Sequence, residues 1–133
     1  MSPGIDWGPL VEAAEAARKN AYAPYSGLEV GAAVLADGRV FAGCNVENAS
    51  YPVGSCAERG ALAAAVAAGC RKIDAVAISS AEPIPPCGMC RQALAEFNPS
   101  MAVLLAGDSG RTETSLDVLM PQPFAPGSLP PKS

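Results

Sequence analysis

The pattern of apolar residues predicts three helices of two kinds. Residues 5–22 carry apolar residues at helical spacing, as in an amphipathic helix that packs on a core. This stripe consists of Trp7, Leu10, Val11, Ala14 and Ala17. Asp6 can cap the helix, although Pro9 allows a later start. Residues 56–69 carry no charge beyond the first turn, and a surface helix would show a polar stripe. We therefore expect 56–69 to be buried on every side and 88–97 to form a second buried helix.

Short apolar runs between turn residues predict the strands. A hairpin comes first, because Asp37-Gly38 separates two such runs and favours a two-residue turn. The five predicted strands are 28–36, 39–46, 74–80, 101–106 and 111–116. Strands then alternate with helices, which implies parallel crossovers. The expected fold is therefore α/β, with three layers and a mixed five-stranded sheet that includes an N-terminal antiparallel hairpin.

The length of 133 residues predicts a single domain, residues 1–133. Residues 121–133 hold five of the 13 prolines and are predicted to form an irregular arm. Ligands of α/β sheets lie beyond the carboxyl ends of strands, where helices begin. Cys56 and Cys87 both stand at such places.

Charge and hydropathy argue against two kinds of partner. The net charge is -4 at pH 7 without any cluster of Lys or Arg, which disfavours nucleic acid and anionic membranes. No apolar run approaches the roughly 20 residues of a membrane span. Residues 1–10 lack the plan of a signal peptide, so we expect a cytoplasmic protein.

The chain has five cysteines and no histidine. The cytosol keeps thiols reduced, so metal binding or catalysis explains these cysteines better than a disulfide framework does. The lack of histidine excludes Ser-His-Asp and Cys-His catalysis. Any zinc site must therefore use cysteine, aspartate or glutamate.

Cys87 and Cys90 form a Cys-x-x-Cys pair, which needs a further ligand to hold a metal. Cys70 and Cys56 are about 20 Å apart along a helix, so they cannot share one ion. Cys44 ends a strand and is explained as a small core residue, or as the fourth ligand of a structural site. Cys56 begins a helix, where backbone N–H groups favour a thiolate. Two converging helix starts would hold Zn²⁺ between Cys56, Cys87 and Cys90.

Two charged residues follow Cys56 in the otherwise chargeless helix. Three protein ligands leave the fourth zinc position to water, as in a catalytic site. Such a site needs a proton shuttle, and Glu58 is the only acid at this helix start, where an unpaired buried carboxylate is costly. Arg59 can donate hydrogen bonds to the sulfurs, and Gly60 leaves room for a close approach. A thioredoxin-like redox pair is the alternative for the Cys-x-x-Cys segment, but it would not need Cys56 or Glu58.

Four segments resemble, in order, the sequence blocks of the cytidine deaminase family of small homotetrameric zinc enzymes. They are YAPYSGLEVGAAV, GCNVENASYP, CAERGAL and PCGMCRQALAEF. The resemblance implies a cytidine deaminase-like three-layer fold, one Zn²⁺ per subunit on the three cysteines, and Glu58 as the catalytic acid and base. It also implies that activated water attacks C4 of the pyrimidine while Glu58 protonates N3. Glu58 would then transfer protons to the departing ammonia.

The resemblance further implies which residues contact the substrate. They are Leu28, Asn45, Glu47, Ala49, Tyr51, Ala57 and Phe124. Asn45 and Glu47 would hold the ribose, mainly its 3′-hydroxyl, whereas the NVEN segment alone favours an ordinary Asx turn. Ala49 and Tyr51 would reach a neighbouring subunit's site, and Phe124 would cover the base in an adjacent subunit. Leu28 stands where the family usually has phenylalanine, so this wall offers apolar contact without ring stacking.

The implied activity is hydrolytic deamination of cytidine and deoxycytidine to uridine and deoxyuridine, a reaction of pyrimidine salvage, by a homotetramer with shared sites. A deaminase of the blasticidin S type lacks the NVENASY pattern. Deaminases that edit nucleic acids generally carry a histidine ligand and basic surfaces. A structural zinc module for protein contacts is the alternative from another class, and Glu58 argues against it.

Overall fold

The computed structural model describes residues 4–131. Residues 1–3, at the start of the predicted domain, and residues 132–133, at the end of the predicted arm, lie outside the described residues. The helices are α1 Trp7–Arg18, α2 Ala57–Ala67, α3 Gly88–Phe97 and α4 Leu116–Leu119. The strands are β1 Gly31–Ala36, β2 Arg39–Cys44, β3 Ile73–Ser79, β4 Ala102–Ala106 and β5 Arg111–Ser115. Between residues 4 and 131, every helix is too short or too polar to cross a membrane.

The five strands form one mixed sheet in the order β2-β1-β3-β4-β5, which confirms the predicted sheet. β1 is antiparallel to β2 and to β3, β4 is parallel to β3, and β5 is antiparallel to β4. Asp37 and Gly38 make the hairpin turn with φ angles of 51° and 75°, as a type I′ turn requires. Because β2 and β3 run in the same direction on either side of β1, β2, β3 and β4 all end on one side of the molecule. We call this side the carboxyl end of the sheet.

Helices cover both faces of the sheet and complete the three predicted layers. α1 packs on one face, where Leu10 and Val11 join the alanines of β1 and β3. α2 and α3 pack on the other face, where Leu62 and Leu94 meet the valines of the central strands. α1 begins at Trp7, because the Asp6 side chain accepts a hydrogen bond from the Gly8 N–H at 3.2 Å. The later start that Pro9 allowed is not adopted.

α2 lies with its backbone directly against β2 at Gly43. A Cβ atom on Gly43 would lie 2.5 Å from the Ala61 nitrogen and 2.8 Å from the Ala57 oxygen. At Gly60 a Cβ would lie 3.6 Å from the nearest atom, which is ordinary contact. The strand glycine, and not Gly60 as predicted, is therefore the residue that permits the close approach.

Neither later helix is buried on every side within one chain. In α2, Ala57, Ala61 and Ala65 are fully buried, whereas the side that carries Ala63 and Ala67 is exposed. In α3, burial is confined to Cys90, Leu94 and Ala95. Within one chain, a helix on a sheet has only one packed side, and small side chains on the other side make the composition look uniformly apolar. Burial of the second side stays a prediction that requires a neighbouring chain.

We expect Gly43→Ala to lower the free energy of unfolding by about 3 kcal/mol, because the added methyl group must push α2 away from β2. Denaturant unfolding followed by circular dichroism measures the change. Gly60→Ala is the matched control, since a helical glycine-to-alanine change with room for the methyl should not destabilise. Equal stability of Gly43→Ala and the unmodified protein would contradict the contact.

Candidate active site

A pocket of about 740 Å³ opens at the carboxyl end of the sheet. Three parts of the chain build it: the segment before β1, the loop after β2 with the start of α2, and the loop before α3. Nine of the residues that line the pocket were predicted from the sequence to act in the site: Leu28, Asn45, Glu47, Tyr51, Cys56, Ala57, Glu58, Arg59 and Cys87. The wall is completed by apolar side chains such as Val30, Ile78 and Ile84. This location is the one predicted from the order of strands and helices.

Three cysteine sulfurs converge at this pocket, and two of the three residues, Cys56 and Cys87, line it. Cys56 caps the start of α2, Cys87 caps the start of α3, and Cys90 lies in the first turn of α3. The three Sγ atoms all lie within 4.8 Å of one another, and those of Cys56 and Cys87 are 3.8 Å apart. Cys70 is buried, with its sulfur near the Ala36 carbonyl oxygen at 3.9 Å. Cys44 also lies outside the group of three, so no fourth cysteine joins it within residues 4–131.

The spacing and chemistry of the cluster fit a zinc ion. Tetrahedral Zn–S bonds of about 2.3 Å place two sulfurs about 3.8 Å apart, which is the separation of the Cys56 and Cys87 sulfurs. Burial raises the pKa of the Cys56 and Cys90 thiols, so a cation is needed to hold both as thiolates near neutral pH. Burial alone would raise the pKa of the Cys87 thiol, but hydrogen bonds from the Cys90 backbone and thiol outweigh it, and the pKa of Cys87 is lowered. Cys56, Cys87 and Cys90 would supply three of the four ligands that zinc usually takes.

Arg59 supplies positive charge beside the sulfurs. A hydrogen bond to the Cys56 sulfur raises the pKa of Arg59, and burial opposes it. The guanidinium Nη2 lies 3.5 Å from the Gly54 carbonyl oxygen, while the buried Nε has no hydrogen-bond partner among residues 4–131. A cluster of three thiolates on Zn²⁺ carries one net negative charge, which this cation offsets.

Glu58 is a buried carboxyl group on the wall of the pocket. Glu58 is only 5% exposed, and burial raises the pKa of its carboxyl group. A hydrogen bond from its own backbone N–H and the nearby charge of Arg59 act in the opposite direction. A carboxyl group whose pKa is raised holds a proton more readily, which suits a group that both accepts and donates one in a reaction cycle.

Asn45 and Glu47 both hold the segment that precedes β1. The Asn45 side chain donates to the Leu28 carbonyl oxygen at 2.7 Å and accepts from the Val30 N–H at 2.9 Å. The Glu47 carboxylate accepts from the Tyr25 and Ser26 N–H groups at 2.9 and 3.1 Å. These bonds join separate segments of the chain, so Asn45 and Glu47 do more than form a local turn. Asn48, the last residue of NVEN, accepts from the Ser50 N–H at 2.9 Å, which is the local Asx bond that the segment alone suggested.

The remaining predicted contacts divide between the pocket and the surface. Leu28 and Tyr51 line the pocket rim and are 47% and 77% exposed, while Ala57 is fully buried in the wall. Ala49 is exposed outside the pocket. Phe124 is also outside it and 59% exposed, with its carbonyl oxygen bound by the Gln92 side chain at 2.7 Å.

Three residues that organise this region were not among the predicted site residues. Tyr25 packs edge to face on Tyr51, with ring centroids 6.1 Å apart. Ser26 binds the Glu47 carboxylate. Arg91 donates to the Pro86 and Leu119 carbonyl oxygens and so joins the loop before Cys87 to α4. Each of the three contacts a residue more than 20 positions away, so no local pattern reveals the contact. The only signal in the sequence was that these residues lie near the cysteine and glutamate motifs.

Comparisons with known proteins agree with this geometry. Residues 9–106 match the family model described as the cytidine and deoxycytidylate deaminase zinc-binding region. The chain is 43% identical over 130 residues to a cytidine deaminase of Sporosarcina psychrophila, with 94% of this chain and 96% of that protein covered. It is 39% identical over 131 residues to a cytidine deaminase of Mycobacterium tuberculosis, with 96% of each covered. The crystal structure of a cytidine deaminase from Burkholderia pseudomallei superposes with a TM-score of 0.85 at 48% identity, covering 90% of this chain and all of that one.

We expect Cys56→Ala, Cys87→Ala and Cys90→Ala to lose bound zinc, because each removes one of three ligands and leaves too few to hold the ion. Metal analysis of the purified variants measures this loss. Cys44→Ala and Cys70→Ala are the controls, since both remove a cysteine outside the cluster and should keep one zinc per chain. Zinc retained by Cys56→Ala and lost from either control would contradict the assignment.

Proposed function

The chain belongs to the cytidine and deoxycytidylate deaminase family, and from this premise we propose that it hydrolyses cytidine and 2′-deoxycytidine. The products are uridine or 2′-deoxyuridine and ammonia, as in pyrimidine salvage. The observation that carries the proposal is the buried carboxyl group of Glu58 on a pocket that Cys56 and Cys87 also line, with Cys90 completing the group of three converging sulfurs. A structural zinc module would need neither the pocket nor the buried acid.

Cys56, Cys87 and Cys90 would hold the zinc ion, and Arg59 would offset the negative charge of their thiolates. Zinc, when bound there, supplies Lewis-acid chemistry that lets water act as a nucleophile near neutral pH. The two helix starts orient the sulfurs before the ion arrives, because both helices are fixed on the same sheet face. The ion therefore binds to ligands that are already close together.

Glu58 moves the protons of the reaction. It accepts a proton from the attacking water and donates it to N3 of the pyrimidine as the oxygen bonds to C4. The second proton of that water passes by way of Glu58 to the amino group, which leaves C4 as ammonia. The burial that raises the pKa of Glu58 suits a group that must hold a proton and give it up.

Asn45 and Glu47 would bind the sugar of the nucleoside. Each keeps hydrogen-bonding capacity beyond its bonds to the chain: the Asn45 amide has a second N–H and the Glu47 carboxylate has further lone pairs. Both line the pocket, as does Leu28. Leu28 would contact the pyrimidine through apolar surface, and Ala57, which is fully buried, would shape the wall at the substrate. Positioning would therefore depend on the sugar and on the reacting centre.

The active unit would be a homotetramer in which sites are shared between subunits, each chain being one domain over residues 1–133. The exposed apolar side of α2 favours association, because monomers rarely leave such patches uncovered. Ala49, Tyr51 and Phe124 are exposed and available to a neighbouring site, with Phe124 presented by the arm. A site of reduced thiolates also suits the cytoplasm.

The proposed activity is tested by incubating the zinc-loaded protein with cytidine and with 2′-deoxycytidine. Loss of the cytosine absorbance, with ammonia released in equal amount, is the expected result. A protein that binds zinc but changes neither nucleoside would contradict the proposal.

We expect Glu58→Gln to keep its fold and its zinc while turnover falls about 10²- to 10⁴-fold or more, because the amide cannot transfer protons. Initial rates with cytidine measure the loss, and metal analysis and circular dichroism confirm that the site and fold are intact. Near-normal turnover in this variant would rule out the proposed role.

We expect Glu58→Gln and Phe124→Ala chains to regain activity when they are unfolded and refolded together. Some sites in the mixed tetramers would combine an intact Glu58 with an intact Phe124 donated by another chain. Activity should exceed that of either variant refolded alone, and sedimentation should show mixed tetramers. Mixed tetramers without recovered activity, or an active monomeric wild type, would contradict shared sites.

A further inference from the structure

The segment that forms the pocket rim has little packing to hold it in place. Residues 24–29 are all exposed, whereas Val30 and the strand that follows it are buried. Buried apolar contacts therefore cannot fix the backbone that carries Leu28. Hydrogen bonds from the loop after β2 must hold it instead.

Ser26 is the centre of these hydrogen bonds. Its hydroxyl group bonds to Glu47 Oε2, while its N–H and that of Tyr25 bond to Glu47 Oε1. The Ser26 hydroxyl oxygen also accepts from the Leu28 N–H at 3.0 Å. One side chain thus links the carboxylate of Glu47 to the backbone of the pocket wall.

We propose that Ser26 is a positioning residue, which fixes the plane of the Glu47 carboxylate so that it can accept a hydrogen bond from a sugar hydroxyl of the substrate. This inference rests on the proposed function, in which Glu47 binds the sugar. Two backbone N–H groups hold Oε1 alone, and a carboxylate held at one oxygen can still rotate about its terminal torsion. The bond from Ser26 to Oε2 removes that freedom.

The charge of Glu47 agrees with this role. The hydrogen bond from the Ser26 side chain lowers the pKa of Glu47, and the bonds from the two backbone N–H groups act in the same direction. An ionised carboxylate only accepts hydrogen bonds, and a sugar hydroxyl can donate one. Ser26 therefore keeps Glu47 in the form that a hydroxyl group recognises.

Loss of the Ser26 hydroxyl should change orientation rather than folding. Asn45 holds the same segment independently, through the Leu28 carbonyl oxygen and the Val30 N–H. Ser26 is exposed, so alanine at this position leaves no buried cavity. A bond to the sugar is present in both the bound substrate and the transition state, and its loss should therefore raise KM more than it lowers kcat.

The test compares cytidine with 3′-deoxycytidine, which lacks the hydroxyl group assigned to Glu47. We expect Ser26→Ala to raise KM for cytidine about tenfold, the effect of a hydrogen bond to a charged group. The same change should leave kcat and the kinetics of 3′-deoxycytidine nearly unaltered. Ser26→Thr, which keeps the hydroxyl, should restore the KM for cytidine. Ser100→Ala removes an exposed serine hydroxyl at the opposite end of the sheet and should change neither substrate.

Equal losses with both nucleosides, or no loss with either, would overturn the role of Ser26 while leaving the proposed deamination intact. A wild-type protein that treats the two nucleosides alike would also overturn it. A wild-type protein that deaminates neither refutes the proposed function and the inference with it. We expect Ser26→Ala and the wild-type protein to have the same midpoint temperature of thermal unfolding, because the substitution changes only the pocket.

Discussion

The contact between the backbone of α2 and Gly43 of β2 determines where the site forms. It fixes the axis of α2 across the sheet and so places the first turn of the helix at the carboxyl end. Because β2 and β3 run in the same direction, the loop after β3 reaches that same end and begins α3 there. Cys56 and Cys87 meet for this reason. The position of the metal centre therefore depends on the directions of the strands and on the absence of a side chain at Gly43.

Two carboxylates in the same pocket experience opposite environments. Glu58 lies in the wall, where burial raises its pKa, whereas Glu47 lies at the rim, where hydrogen bonds from Ser26 lower its pKa. One group is therefore suited to exchanging protons and the other to remaining a charged acceptor. The two glutamates of one pocket thus differ in burial and in the direction in which their pKa values are shifted.

The sequence was sufficient for features that depend on local order and on chemical elimination. The type I′ turn at Asp37-Gly38, the five strands and the three converging cysteines follow from spacing and from the lack of histidine. The burial of α2 could not be derived in this way, because alanine gives no signal for which side meets the sheet. The bond from the Val30 N–H to the Asn45 side chain and the bond from the Ser26 hydroxyl to the Glu47 carboxylate were equally hidden, because their partners are distant in sequence and come together only in the folded chain. Gly60 was predicted to permit the close approach of α2, but the residue that must lack a side chain is Gly43 on the strand beneath the helix.

Gly31 and Gly43 together restrict how the hairpin can align. A Cβ on Gly31 would lie 1.9 Å from the Ala14 carbonyl oxygen of α1, as one on Gly43 would collide with α2. The helices thus rest on opposite faces of neighbouring strands, paired so that Gly31 faces Cys44 and Ala32 faces Gly43. A slip of two residues would bring Phe41 or Asn45 beneath the backbone of α2, and a slip of one would turn every side chain to the wrong face. The close packing of α1 and α2 is therefore compatible with only one register of β1 and β2, so the two helices and the hairpin specify one another.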